Sequence, residues 1–182
     1  VLYRMLDKAG LKPADYELVS VGATPHRWEA VQKGVHAGTL LIEPFTGQAR
    51  ASDYKILESS LETFQNYPGQ MFGAMRGWAN ENRPAMISFI QGYLDALDWT
   101  LDPNNKSVAA SILSANMPQM PDKAVAPALE KLLVPETGLI PMGTVDMNGL
   151  KTVLEIRSQY APQGKTLTDV DKYLDLSFYR EA

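Results

Sequence analysis

The chain has 182 residues, of which 45% are hydrophobic and 21% charged, enough apolar content for one sizeable core or two small ones and too much for a disordered segment. Seventeen Lys and Arg against 21 Asp and Glu leave a net charge of -4 with no basic run, which argues against nucleic-acid binding. The absence of cysteine excludes disulfide frameworks, thiolate metal sites and cysteine nucleophiles, and no stretch reaches the roughly 20 apolar residues of a membrane span.

In chain order, Leu2, Met5, Leu6 and Ala9 fall at helical spacing before Gly10. The chain starts without methionine and inside this expected helix, so an upstream portion is expected to be missing. Tyr16 to Gly22 is short, β-branched and bounded by Pro13 and Gly22, the pattern of a buried strand. Thr24 suits an N-cap, Pro25 the first helical position and Gly34 the end of a helix that places Trp28 and Val31 on one face. A second strand is expected over Thr39 to Ile42, stopped by Glu43 and Pro44. Together these make a βαβ unit, with parallel strands and a right-handed crossover. Ligands of an open α/β sheet gather beyond the carboxyl ends of such strands, here Gly22-Ala23-Thr24 and Glu43-Pro44-Phe45.

One more strand fits Met71 to Met75, and helices dominate from Arg76 onward. The longest opens at Asn82 with Pro84 in its first turn, carries Met86, Ile90, Tyr93, Leu94, Leu97 and Leu101 as its apolar stripe, and stops at Asp102-Pro103. Further helices are expected from Ser107 to Ala115, from about Ala126 to Leu133 because Pro127 breaks an earlier start, and from Val145 to Tyr160. Asp169 and Asp171 are placed at the start of a terminal helix.

The order Leu6-Asp7-Lys8-Ala9-Gly10-Leu11, Val19-Ser20-Val21-Gly22, Ala30-Val31-Gln32-Lys33-Gly34, Leu41-Ile42-Glu43-Pro44-Phe45 resembles the nitrate, sulphonate and taurine type of periplasmic solute-binding proteins, relatives that bind thiamine-pyrimidine precursors included. Trp78-Ala79-Asn80-Glu81-Asn82-Arg83-Pro84 is similar to that family's opening of its carboxy-terminal helices. One departure is His36-Ala37-Gly38, where the family usually has an acidic residue before the alanine.

The resemblance implies a type II periplasmic-binding-protein-like α/β fold of three layers, with residues 1–45 in the second lobe and residues 46–182 the mostly helical carboxy-terminal part of the first. It also implies a small polar or anionic organic solute in the interlobe cleft, permease subunits of an ABC importer as partners, and a periplasmic or other extracytoplasmic location. On that map the stripe of the longest helix lacks part of the sheet it covers. The chain is therefore expected to associate with a second copy, or to pack the stripe on its other carboxy-terminal helices.

Residues Gly22, Ala23 and Thr24 read either as an ordinary strand-to-helix turn or as a helix start whose free N–H groups draw the polar or anionic end of a ligand. Glu43 reads as a solvated strand end or as an acceptor for a cationic or N–H-bearing ligand, and Phe45 as a stacking surface or a hinge cover. His26 and His36 sit at opposite ends of one predicted helix and form no metal pair; the tryptophans and eight methionines read as packing residues. No nucleophile elbow, phosphate loop or carboxylate pair appears, so neither catalytic residues nor a cofactor are expected. Two alternatives stay open. One is a thiamine-pyrimidine-synthase-like enzyme, whose cysteine-rich motif has no counterpart here; the other is a helical interaction domain.

Overall fold

A computed structural model describes residues 1–64, 66–118, 120–135, 137–160 and 164–182. Among the described residues the regular structure is entirely helical. The α-helices are α1 (Leu2–Lys8), α2 (Thr24–Gln32), α3 (Phe45–Ala51), α4 (Ser60–Thr63), α5 (Arg76–Glu81), α6 (Arg83–Leu101), α7 (Lys106–Asn116), α8 (Asp122–Leu132), α9 (Met147–Tyr160) and α10 (Ser177–Glu181). Short 3-10 turns occupy Pro103–Asn105 and Pro141–Gly143.

This overturns the expected three-layer α/β fold and its parallel βαβ unit. The segments around Tyr16–Gly22, Thr39–Ile42 and Met71–Met75 carry no regular secondary structure, and among the described residues no backbone pairing joins any of them to another strand. Val19 and Ile42 are each 54% exposed, where a buried strand would hide them. An extended run becomes a strand only when a neighbour takes its N–H and C=O groups, and composition alone does not supply that neighbour.

The helix signals fared better. Both α1 and α2 end in Schellman motifs. Leu11 N–H reaches Leu6 C=O at 3.0 Å and Val35 N–H reaches Ala30 C=O at 2.9 Å, with Gly10 and Gly34 at φ +83° and +69° supplying the left-handed residue. Asn82 flanks the start of α6, Pro84 sits in its first turn and Asp102 ends it. Helix α8, by contrast, starts at Asp122 and carries Pro127 in its interior, against the expected later start. Asp169 and Asp171 form a turn of their own, Asp171 N–H donating to Asp169 Oδ1 at 3.1 Å, and it is Asp175 that takes the Ser177 N–H at the head of α10.

Packing is distributed over small clusters. Met120, Val125 and Ala128 join α7 to α8, and Leu150, Leu154 and Val170 join α9 to the segment that follows it. The stripe of α6 meets the 141–143 turn, where a Cβ on Gly143 would lie 3.2 Å from Leu94 Cδ2. It also meets α10, held by the Arg83–Glu181 ion pair and by the Arg83 guanidinium 4.4 Å above the Phe178 ring. Helix α1 reaches α9 through Tyr3 stacked on Tyr160 at 5.4 Å and through the Tyr160 hydroxyl, which donates to Asp7 at 3.1 Å.

Candidate functional site

The turn before α2 is organised by a side chain that sequence reasoning passed over. Arg27 donates through Nη1 to Gly22 C=O at 2.6 Å, through Nη2 to Thr24 Oγ1 at 2.9 Å and through Nε to Leu40 C=O at 3.4 Å. One planar guanidinium thus ties the turn 22–24 to the extended run that leads into Glu43. Thr24 is the first helical residue, with Ala23 in the cap position, and its hydroxyl accepts from Arg27 instead of capping the helix. Gly22 sits at φ +100°, a conformation that side-chain-bearing residues rarely adopt. Behind the turn, Trp28 is buried with its ring edge-on to Tyr54, centroids 4.9 Å apart.

The second expected segment, Glu43 to Phe45, closes an extended run and opens a helix. Pro44 is buried at the cap of α3 and Phe45 is its first residue. Glu43 lies just ahead of that helix, and its Oε2 accepts the Gly47 N–H at 3.1 Å, a favourable place for a carboxylate beside the positive helix end. Its Oε1 pairs with Lys131 of α8 and lies 3.7 Å from Arg50 of α3. The carboxylate expected to await a cationic ligand is therefore already engaged by two cations. The pair is open to water, with Glu43 30% and Lys131 50% exposed, so it contributes about 0–1 kcal/mol.

Beside this cluster runs a shallow, open groove of about 380 Å³. Leu61, Ala128, Leu132 and Val134 give it apolar walls, and Glu43, Lys131 and Thr137 supply polar ones. Its end is shaped by Gly138, which folds back over the end of α8: Gly138 N–H bonds Val134 C=O and Leu139 N–H bonds Leu132 C=O, each at 2.7 Å. A Cβ on Gly138 would stand 2.2 Å from Leu132 O, so no other residue fits. A wider hollow of about 530 Å³ between α7 and α8, lined by Ala110, Ser114 and Asp122 among others, contains none of the expected residues.

Arg27 thus ties the first expected segment to Leu40, three residues ahead of Glu43, and α2 packs on α3, while the groove itself takes in only Glu43 of the six. Arg27 had a local signal, a basic residue one turn into a helix that follows a glycine turn. Lys131, 88 residues from Glu43, had none.

The match to the NMT1-like family spans residues 1–114, so both expected segments lie inside it. The chain belongs to the NMT1-like family, which is related to the solute-binding proteins of ABC importers; most members bind, and those of the thiamine-pyrimidine-synthase type are enzymes. No curated protein and no solved structure matches the chain. Among the described residues no helix is long and apolar enough to cross a membrane.

Proposed function

We propose that the protein is the solute-binding component of an ABC-type importer. It captures a small polar or anionic organic molecule at the segments Gly22-Ala23-Thr24 and Glu43-Pro44-Phe45, outside the cytoplasm, and delivers it to the membrane permease subunits. The observation that carries this reading is the family match over residues 1–114, within which Arg27 ties the turn 22–24 to the Leu40 carbonyl ahead of Glu43. Catalysis of the thiamine-pyrimidine-synthase kind uses a cysteine-rich motif, and the sequence has no cysteine, which favours binding over chemistry. Association with a second copy of the chain belongs to the same reading.

A thermal-shift screen against anionic, cationic and neutral small molecules tests it, because a ligand that binds only the folded chain raises the melting temperature. Thr24→Val removes the acceptor for Arg27 and the hydroxyl at the turn. For any solute found, it is expected to weaken binding by about tenfold in calorimetry while the melting temperature of the free protein moves little. Equal affinity in the variant would show that the turn does not face the solute.

A further inference from the structure

We propose that residues 175–182 form a detachable strap, latched across α6 by Arg83, whose release also frees the 141–143 turn. The two together uncover the apolar stripe of α6 while the rest of the chain stays folded. The strap lies outside the family match, and its opening is a property of the fold that does not depend on what the chain binds.

The strap is a separate unit because the contacts of the carboxy-terminal segment change at Leu174. Up to that residue the segment packs on α9, Val170 and Leu174 meeting Leu150 and Leu154. Beyond it the chain crosses to α6, the helix on which α10 packs. Five residues do not hold a helix in water by themselves, so α10 is helical only while it is docked.

The hold is charged more than it is apolar. Phe178 is the buried side chain of α10, and its ring lies 4.4 Å from the Arg83 guanidinium. The same guanidinium grips Glu181 with both arms of its fork, Nε donating to Oε2 at 3.1 Å and Nη2 to Oε1. At the hinge, Arg76 of α5 donates to Lys172 C=O at 3.0 Å and lies 3.8 Å from Asp175. Every member of the two ion pairs is open to water, from 34% exposed at Arg83 to 61% at Arg76, so salt screens both pairs. One apolar anchor and screened charges place the strap at the low-stability end of the molecule, where segments open ahead of global unfolding.

The coupling to the turn runs through Tyr179, whose hydroxyl donates to Met142 C=O at 2.7 Å. Met142 sits at φ +59°, a left-handed conformation that a side-chain-bearing residue keeps only where its surroundings fix it. Gly143, next in the turn, lies against α6, where a Cβ would stand 3.2 Å from Leu94 Cδ2 and 3.4 Å from Tyr93 Cε1. When α10 leaves, Met142 loses that hold and the turn relaxes away from Leu94.

The test is amide hydrogen exchange by NMR on the whole chain. The Arg180 and Ala182 N–H groups, bonded to Leu176 and Phe178 C=O at 3.1 Å each, report on the strap, and the Gly143 N–H, bonded to Ile140 C=O at 3.0 Å, reports on the turn. Raising sodium chloride from about 0.05 M to about 0.5 M shortens the screening length from roughly 14 Å to roughly 4 Å. All three amides are expected to exchange about three- to fivefold faster, the scale of exposed ion pairs, while those of α8 and α9 keep their rates. Glu181→Gln, at an exposed carboxylate whose loss opens no cavity, is expected to give the same acceleration in low salt and to remove most of the salt response. In Tyr179→Phe the strap is expected to keep its salt response and Gly143 to lose it.

Strap amides that exchange at one rate in both salts, or alike in wild type and Glu181→Gln, overturn the latch. Acceleration of the strap with Gly143 unchanged in the wild type overturns the coupling. Acceleration of α8 and α9 to the same extent means that the chain opens as a whole and overturns the separate unit.

Discussion

Asp146 shows how much local order one carboxylate carries in this chain. It lies directly ahead of α9 and accepts from the Gly149 and Asn148 backbones and from Asn66 Nδ2, the last two at 2.9 and 3.0 Å. These donors, the Gly149 N–H first, hold its carboxyl below the usual carboxylate range. Gly149 is needed for the approach, since a Cβ there would stand 2.8 Å from Pro68 Cδ and 3.0 Å from Asp146 Oδ2. A carboxyl depressed in the folded state stabilises fully above its unfolded pKa, and that stabilisation is lost as pH falls through the lower, folded value. Asp146→Asn is expected to cost roughly 1 kcal/mol or less near neutrality, because the site is open to water. The difference between wild type and variant should shrink as the pH drops through the acid range. Paired urea melts at several pH values check this; a constant difference down to the lowest pH would mean that the ionised form contributes nothing.

At the scale of elements, what the sequence displayed depended on whether the determining contacts were local. Schellman glycines at 10 and 34, and the Asn82, Pro84 and Asp102-Pro103 limits of α6, act within a turn or two, and each was legible. The strand expectations failed because pairing is non-local: Thr39 to Ile42 has the right composition but no neighbour among the described residues. In the site, the glycine turn and the acidic exit could be read from position, whereas the Lys131 partner of Glu43 could not. Pro127 is a different kind of failure. Its exposed ring sits inside α8 while Val125, Ala128 and Leu129 are buried around it, so packing of the apolar face overrides the local penalty. Because Pro127 itself is exposed, Pro127→Ala removes the penalty without opening a cavity. It is expected to stabilise the protein by about 1–3 kcal/mol, measured by denaturant unfolding. A neutral or destabilising result would mean that the proline stiffens the unfolded chain by as much as it strains the helix.

On the scale of the molecule, surface area decides where apolar side chains remain open. The chain exposes 12633 Å², whereas a compact monomer of its mass exposes roughly 8,700 Å². The α6 stripe does not account for the excess, since the 141–143 turn and α10 cover it in part. The open apolar surface is spread along the chain, Leu57 at 83% and Val35 and Met142 at 65% included, and one part of it lies on the segment before α5, where Phe72 is 70% and Met75 81% exposed, and on the facing edge of α6 at Phe89. Phe72 sets its ring edge-on to Phe89 and Tyr93 at 5.2 and 5.0 Å, so these residues form one contiguous patch flanked by unpaired extended backbone. Patches of this sort favour association, and a standard interface of about 1,600 Å² is well within the surplus area. The chain is therefore expected to form dimers or larger species at micromolar concentration through this patch. Sedimentation velocity on the wild type and on a Met71→Ser, Met75→Ser variant measures it, with the wild type sedimenting as an oligomer and the variant shifting toward monomer. Both side chains are exposed, so the substitutions remove little internal packing and the shift reads the surface itself. A wild-type chain that stays monomeric at tens of micromolar would show that the patch is too small or too polar at its edges to hold a second copy.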